Sequence, residues 1–189
     1  MGGSISPGMT IGTCAWMEQE WLNSISTVDK QYFKAARYMD DVLCVYAKTD
    51  KWDSARFLEY QGTECYMPPL ILQEAGENCF LETEFEIRKD GIHHRLKNVN
   101  EEGKDPQVWR YQHYDSYASF VQKKGNLMGC LRKVNSMASN IEQLLISGRK
   151  KLAEFKRAGF PTGLRKYVCS IIARDSNNGG WINLRNEQC

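Results

Sequence analysis

Apolar and polar positions change their period twice along this chain, and each change marks a different kind of element. Up to about Asn23, Met17 and Trp21 stand four residues apart, with Ala15 and Leu22 on an adjoining face. That spacing predicts a helix, entered through a Gly/Ser loop and Pro7. Residues 32–38 and 42–47 then read as two β-rich runs with Met39, Asp40 and Asp41 between them. Residues 52–60 suit a short helix, and Pro68-Pro69 introduces a strand at Leu70-Ile71-Leu72. Next, Leu81, Thr83, Phe85 and Ile87 alternate with Glu82, Glu84 and Glu86, ahead of a tight turn at Asp90-Gly91 and a return strand from Ile92. Strict alternation predicts an apolar inner face and a solvent stripe of glutamates.

After residue 98 the period becomes helical. Residues 98–106 are polar and closed by Pro106, the best boundary in the sequence. Leu127, Leu131 and Val134 mark one helix. Ser139 and Glu142 have the form of a capping box opening a second, with Ile141, Leu144, Leu145, Leu152 and Phe155 on its buried stripe and Gly159 at its end. Thr162 is placed to cap a third, carrying Leu164, Val168, Ile171 and Ile172. Three amphipathic helices make a small bundle, which accounts for these apolar side chains without any ligand. The expected class is α+β, with an antiparallel-sheet part over residues 1–112 and a helical part over 113–189.

Composition fits that class. The 189 residues are 42% hydrophobic and 25% charged, the balance of a globular chain long enough for a sizeable core. No apolar run approaches the ~20 residues that span a bilayer, so no membrane partner is expected. Residues 1–7 lack the basic-then-apolar layout of a secretory signal. Seven dispersed cysteines, odd in number, suit reduced thiols in a nuclear or cytoplasmic protein better than a disulfide framework. A zinc site from Cys65, Cys79, His93 and Cys130 is conceivable, but no C-x-x-C pair supports it. Charge is uneven: residues 1–112 carry 12 Lys and Arg against 18 Asp and Glu, while residues 113–189 carry 13 against 5. The basic half invites a polyanion, although a solvated helical surface explains it equally well.

The chemistry concentrates at Tyr38-Met39-Asp40-Asp41. Two adjacent carboxylates between strands repel each other and lose hydration, and a divalent cation relieves both penalties. Asp-Asp is also ordinary turn chemistry. The full tetrad, however, arises by chance in roughly one chain in a thousand of this length, and here it falls between two strands.

The tetrad resembles the catalytic box of reverse transcriptases, and Gly2-Gly3-Ser4-Ile5-Ser6-Pro7 resembles the G-x-x-x-S-P box that precedes it in those enzymes. Phe80-Leu81-Glu82 leading into the Asp90-Gly91 hairpin looks like the primer-gripping hairpin of Penelope-like retroelement polymerases, relatives of telomerase. Residues 113–117, followed by Lys123-Lys124-Gly125 and Leu131-Arg132, resemble the start of their thumb. The resemblance implies part of a right-hand polymerase palm (1–112) joined to a basic thumb (113–189). It further implies RNA-directed DNA synthesis with two Mg²⁺ ions, a primer–template of RNA or DNA, and deoxynucleoside triphosphates. Asp40 would be a direct ligand of both metals and Asp41 a supporting one. Tyr38 and Met39 would lie against the primer end, and Gly2, Ser6 and Pro7 would shape the nucleotide wall. Lys123, Lys124, Arg132, Lys133, Arg149, Lys150 and Lys151, with Lys156 and Arg157, would track phosphates.

Three departures qualify the resemblance. Glu82 stands where the family has Asp, no lysine lies between Lys51 and Lys89 to serve as a general acid, and no strand bearing the family's first metal-binding Asp precedes Met1. The expectation is that the missing N-terminal fingers and palm part must be supplied for activity. Three alternatives stay open: a degenerate or co-opted nucleic-acid-binding remnant without catalysis, an RNA-dependent RNA polymerase, whose box more often has Gly before Asp-Asp, and an accidental tetrad in an unrelated protein.

Overall fold

The expected helix near the N-terminus forms as α1 (Ser6–Ser24), with Pro7 in its first turn, where a missing amide costs nothing. It closes as Ser24 Oγ donates to the Trp21 carbonyl at 2.7 Å. A single 3-10 turn, Asp29–Gln31, leads into β1 (Phe33–Tyr38) and β2 (Asp41–Tyr46). These pair antiparallel from Phe33↔Tyr46 to Tyr38↔Asp41. A two-residue strand, β3 (Cys79–Phe80), closes this part of the chain. The computed structural model describes residues 6–39, 41–47, 49, 62, 64–67, 78–98, 100 and 111–188. The helix expected over 52–60 and the strand over 70–72 lie outside them.

The chain divides into two compact units, Met1–Phe80 and Leu81–Cys189. That division falls upstream of the 112/113 boundary drawn from the sequence. Its physical reason is the next hairpin, β4 (Thr83–Arg88) and β5 (Gly91–Leu96), which packs with the helices. Among the described residues, two hairpins and five helices make the fold α+β.

The first unit has a small core of Trp21, Cys65 and Tyr66, edged by Cys14, Met17, Leu22, Ile25, Cys44 and Tyr46. The second is built on α2 (Phe120–Met137), α3 (Ile141–Arg157), α4 (Thr162–Ser176) and a seven-residue α5 (Gly180–Asn186). Its core includes Leu127, Leu131, Val134, Leu144, Leu152, Phe155, Val168, Ile172, Trp181 and Leu184, all with 2% exposure or less. Ile141, expected on the buried stripe, is 53% exposed.

Helix starts differ in detail from the sequence pattern. The capping box belongs to α2, where Ser119 accepts from the Gln122 amide and Gln122 returns the bond. α3 is capped by Asn140, whose side chain accepts from the Gln143 amide. Ser139 instead docks β5: its hydroxyl accepts from the His94 amide at 3.0 Å and its own amide donates to the His94 carbonyl at 2.9 Å. Thr162 is the first residue of α4 rather than its cap, and its hydroxyl accepts from Arg165. Gly159 ends α3 as expected, at φ 79°, with Phe160 N–H reaching back to the Phe155 carbonyl.

The glutamate stripe is the largest correction to the alternation pattern. Glu84 pairs with Arg95 at 2.9 Å, Glu86 with Arg88 at 2.7 Å and Arg95 at 3.4 Å, and Glu82 with Lys133. Arg88 also grips Glu142 on α3, and Arg95 donates to Gln143. Alternation separates two faces of a strand but does not say which is covered. Here arginines on the same hairpin and acceptors on α3 bond the charged face, whose glutamates stay partly in solvent, while Ile87 and Ile92 near the tip are exposed. The turn also shifts by one: Arg88 partners Gly91, so Lys89 and Asp90 make the connection and Gly91 opens β5 at φ 138°, a conformation that favours glycine.

This network carries a pH prediction. Hydrogen bonds from Arg88 hold the carboxyls of Glu86 and Glu142 below their ordinary range, and His93 does the same for Asp90. A carboxyl depressed in the folded state contributes stability that is complete above its unfolded value, about 4.3 for Glu, and lost as pH falls through the folded value. Arg88→Gln should therefore flatten the acid limb of stability below about pH 4.3, read by urea unfolding at a series of pH values. An acid limb as steep as that of the unsubstituted protein would contradict the assignment.

Candidate functional site

Tyr38 and Asp41 are the last cross-strand pair of the β1–β2 ladder. Alternation puts them on one face with Lys34, Ala36, Leu43 and Val45, and puts Arg37, Ala35, Val42, Cys44 and Tyr46 on the other. Cys44 and Tyr46 pack against the small core beside α1. Tyr38 is 58% exposed, and Asp41 and Val45 are also exposed. The hairpin thus presents an open face ending in a phenol and a carboxylate.

Met39 opens the connection at φ 55°. A side chain with a Cβ in the left-handed region costs about 1–2 kcal/mol, so something must hold it. Arg37 Nη1 donates to the Met39 carbonyl at 3.0 Å, a charge-assisted bond that works against that strain. The guanidinium is itself held from behind. Its Nε donates to Glu18 of α1 at 2.6 Å, its Nη2 reaches both Glu18 and the Tyr66 hydroxyl, and that hydroxyl donates to Glu18. Burial, reinforced by the Glu18 hydrogen bond, pushes the Tyr66 phenol above its ordinary range, so it stays a donor. The sequence reading missed this triad. Its available signal was a charged residue, Arg37, at an inward-facing strand position, which demands a partner.

Asp40 and Gly2 lie outside the described residues, and Ser6 and Pro7 are placed only as the backbone of α1's first turn. Carboxylate oxygens of the Asp41 kind are donors a hard divalent ion accepts. Among the described residues no group of three or more His, Cys, Asp or Glu could hold a metal ion. Burial pushes the Cys65 thiol up to about 11.

The basic residues of the second unit separate into two groups. Lys151 is buried at 3% exposure, pairs with Glu154 at 2.7 Å and lies over the Tyr111 ring. Its place inside the bundle is a correction to the phosphate-tracking set. Arg132 pairs with Asp175, Lys133 with Glu82 and Arg149 with Glu187, all at half-exposed positions. Such surface pairs contribute about 0–1 kcal/mol, so phosphates can displace the carboxylates. Lys123 donates to the Ser116 carbonyl and lies over Tyr114, and Lys124 lies over Tyr167. Lys150, Lys156 and Arg157 are exposed. Tyr111 stacks on Phe155 at 4.3 Å and Tyr114 meets Phe160 edge-on, so both serve packing; Tyr117 is fully exposed, and Trp109 lies outside the described residues.

Comparison with family models, curated proteins and solved structures returns no match. Among the described residues, no helix is long and apolar enough to cross a membrane.

Proposed function

We propose that this chain is part of a reverse-transcriptase-like polymerase that adds deoxynucleotides to a primer on an RNA template. The observation that carries the reading is the exposed Tyr38–Asp41 pair that ends the ladder of an antiparallel hairpin, inside the sequence Tyr38-Met39-Asp40-Asp41. On this reading Asp40 and Asp41 supply carboxylate oxygens to Mg²⁺, with a further carboxylate from an upstream palm strand. Tyr38 and Met39 flank the primer terminus. When bound, the two ions would activate the primer hydroxyl and stabilise the leaving pyrophosphate. Lys123, Lys124, Arg132, Lys133, Arg149, Lys150, Lys156 and Arg157 would neutralise duplex phosphates without reading sequence.

Primer extension tests this, using the purified protein alone and with a reverse-transcriptase segment bearing the upstream catalytic strand supplied in trans. Deoxynucleotide incorporation on an RNA template is expected when the upstream strand is supplied, and none from the protein alone. Exclusive ribonucleotide incorporation would reassign the chain to RNA-dependent RNA synthesis. Duplex binding with no incorporation under either condition would leave a non-catalytic binding remnant.

A further inference from the structure

We propose that Arg37 is the positioning residue of the Tyr38–Asp41 hairpin, a brace that fixes the connection from behind while Tyr38 and Asp41 face outward. The proposal rests on the polymerase reading for its consequence in catalysis, but its geometry stands apart from that reading. Arg37 is the cross-strand partner of Val42, on the face of the ladder opposite Tyr38 and Asp41. It therefore does not touch what the open face binds, and acts only through the backbone it holds.

Three separate parts of the first unit converge on this one guanidinium. Glu18 comes from α1, Tyr66 from the turn after residue 63, and the Met39 carbonyl from the connection. Glu18 and Tyr66 take Nε and Nη2, which leaves Nη1 aimed at Met39. The arrangement needs a planar fork with several fixed donors; a lysine ammonium is one point charge on a flexible stem and cannot hold three partners in this layout. The side chain of Arg37 is 15% exposed and that of Glu18 23%, and Tyr66 is buried at 1%, so water competes weakly for the bonds to Glu18 and Tyr66, while the bond to the Met39 carbonyl lies at the exposed end of the guanidinium. Met39 supplies the reason a brace is required: its φ of 55° is a conformation that relaxes unless the surroundings hold it. A strained connection fixed by a donor from the covered side is a means of setting where the adjoining Asp41 carboxylate points.

The test uses Arg37→Lys and Tyr66→Phe in the full chain, each alone and combined with Met39→Gly, since Arg37→Ala leaves Glu18 without its partner and risks unfolding the unit. The first readout is amide hydrogen exchange. Arg37→Lys should speed exchange at Tyr38, Met39 and Asp41 about tenfold relative to residues 34–36 and 43–45, and Tyr66→Phe by a few-fold. Met39→Gly, which removes the Cβ penalty, should partly restore protection in the Arg37→Lys background. Unchanged exchange at the connection, or an equal rise along both strands, would overturn the brace. The second readout is kinetic, with the reverse-transcriptase segment bearing the upstream catalytic strand supplied in trans: kcat for nucleotide addition should fall roughly tenfold with KM for primer–template unaltered. A loosened connection in a protein that incorporates no nucleotide would sink the polymerase reading and leave the brace standing. Incorporation with an unaltered connection would do the reverse.

Discussion

Asp40→Asn should lower the rate of nucleotide addition by on the order of 10³-fold, about 4 kcal/mol of transition-state stabilisation. The substitution keeps the size of the side chain and one acceptor oxygen but removes the negative charge. On the proposed reading Asp40 contributes to holding both cations, so its loss weakens every charge interaction that develops as the phosphoryl group transfers. Asp41→Asn should cost less, roughly 10–100-fold, the scale of a supporting partner. Primer–template affinity should stay within about twofold for both, because the duplex is held by cations of the second unit at a salt-dependent strength. The measurement is single-turnover extension at saturating duplex, with gel-shift affinity in parallel. Retention of more than a tenth of the rate in Asp40→Asn would remove this residue from the chemistry.

Much of the first hairpin was legible because its signal is local. Two runs of strand formers and an acidic connection predict both strands, but Asp41, expected between them, instead opens β2 and pairs with Tyr38. What pattern cannot supply is the identity of long-range partners. Glu18 is 19 residues before Arg37 and Tyr66 is 29 after it, and no periodicity links them. The same limit explains the glutamate stripe. Glu84 and Glu86 obey a solvent-facing alternation and stay partly exposed, yet Arg95 and Gln143 bond them, and the arginine that pairs with Glu84 lies 11 residues further along. The helix starts failed for a different reason. Ser139 and Asn140 are both competent caps, and the tertiary demand of the His94 backbone for a partner decided between them.

Charge followed its own logic. The excess of cations in the second half reads as one surface in the sequence, but folding divides it by depth. Lys151 goes inside with Glu154, where Asn100 donates to the same carboxylate at 2.8 Å, because helical spacing turns that position toward Tyr111. Its neighbours Arg149 and Lys150 stay at the surface. A count of basic residues therefore overstates the phosphate-binding set, and burial is what corrects it.

The last helix was not read from the sequence at all, since seven residues carry too little periodicity, and its largest side chain sets the second major expectation. Trp181→Ala should destabilise the second unit by about 3–5 kcal/mol, against a total of roughly 5–15 kcal/mol for a domain. Trp181 is fully buried, and its indole N–H donates to Asn135 of α2 at 2.8 Å. α5 is too short to hold its backbone alone; Trp181 and the equally buried Leu184 tie it to the bundle. Truncation thus opens a large cavity and leaves the Asn135 carbonyl without its donor. Trp181→Phe keeps most of the apolar contact and should cost about 1–2 kcal/mol, chiefly the lost hydrogen bond and residual void. Urea unfolding followed by helical circular dichroism separates these cases. A loss under 1 kcal/mol for the alanine variant would mean that α5 is an appendage, and that α2, α3 and α4 hold the basic surface in shape without it.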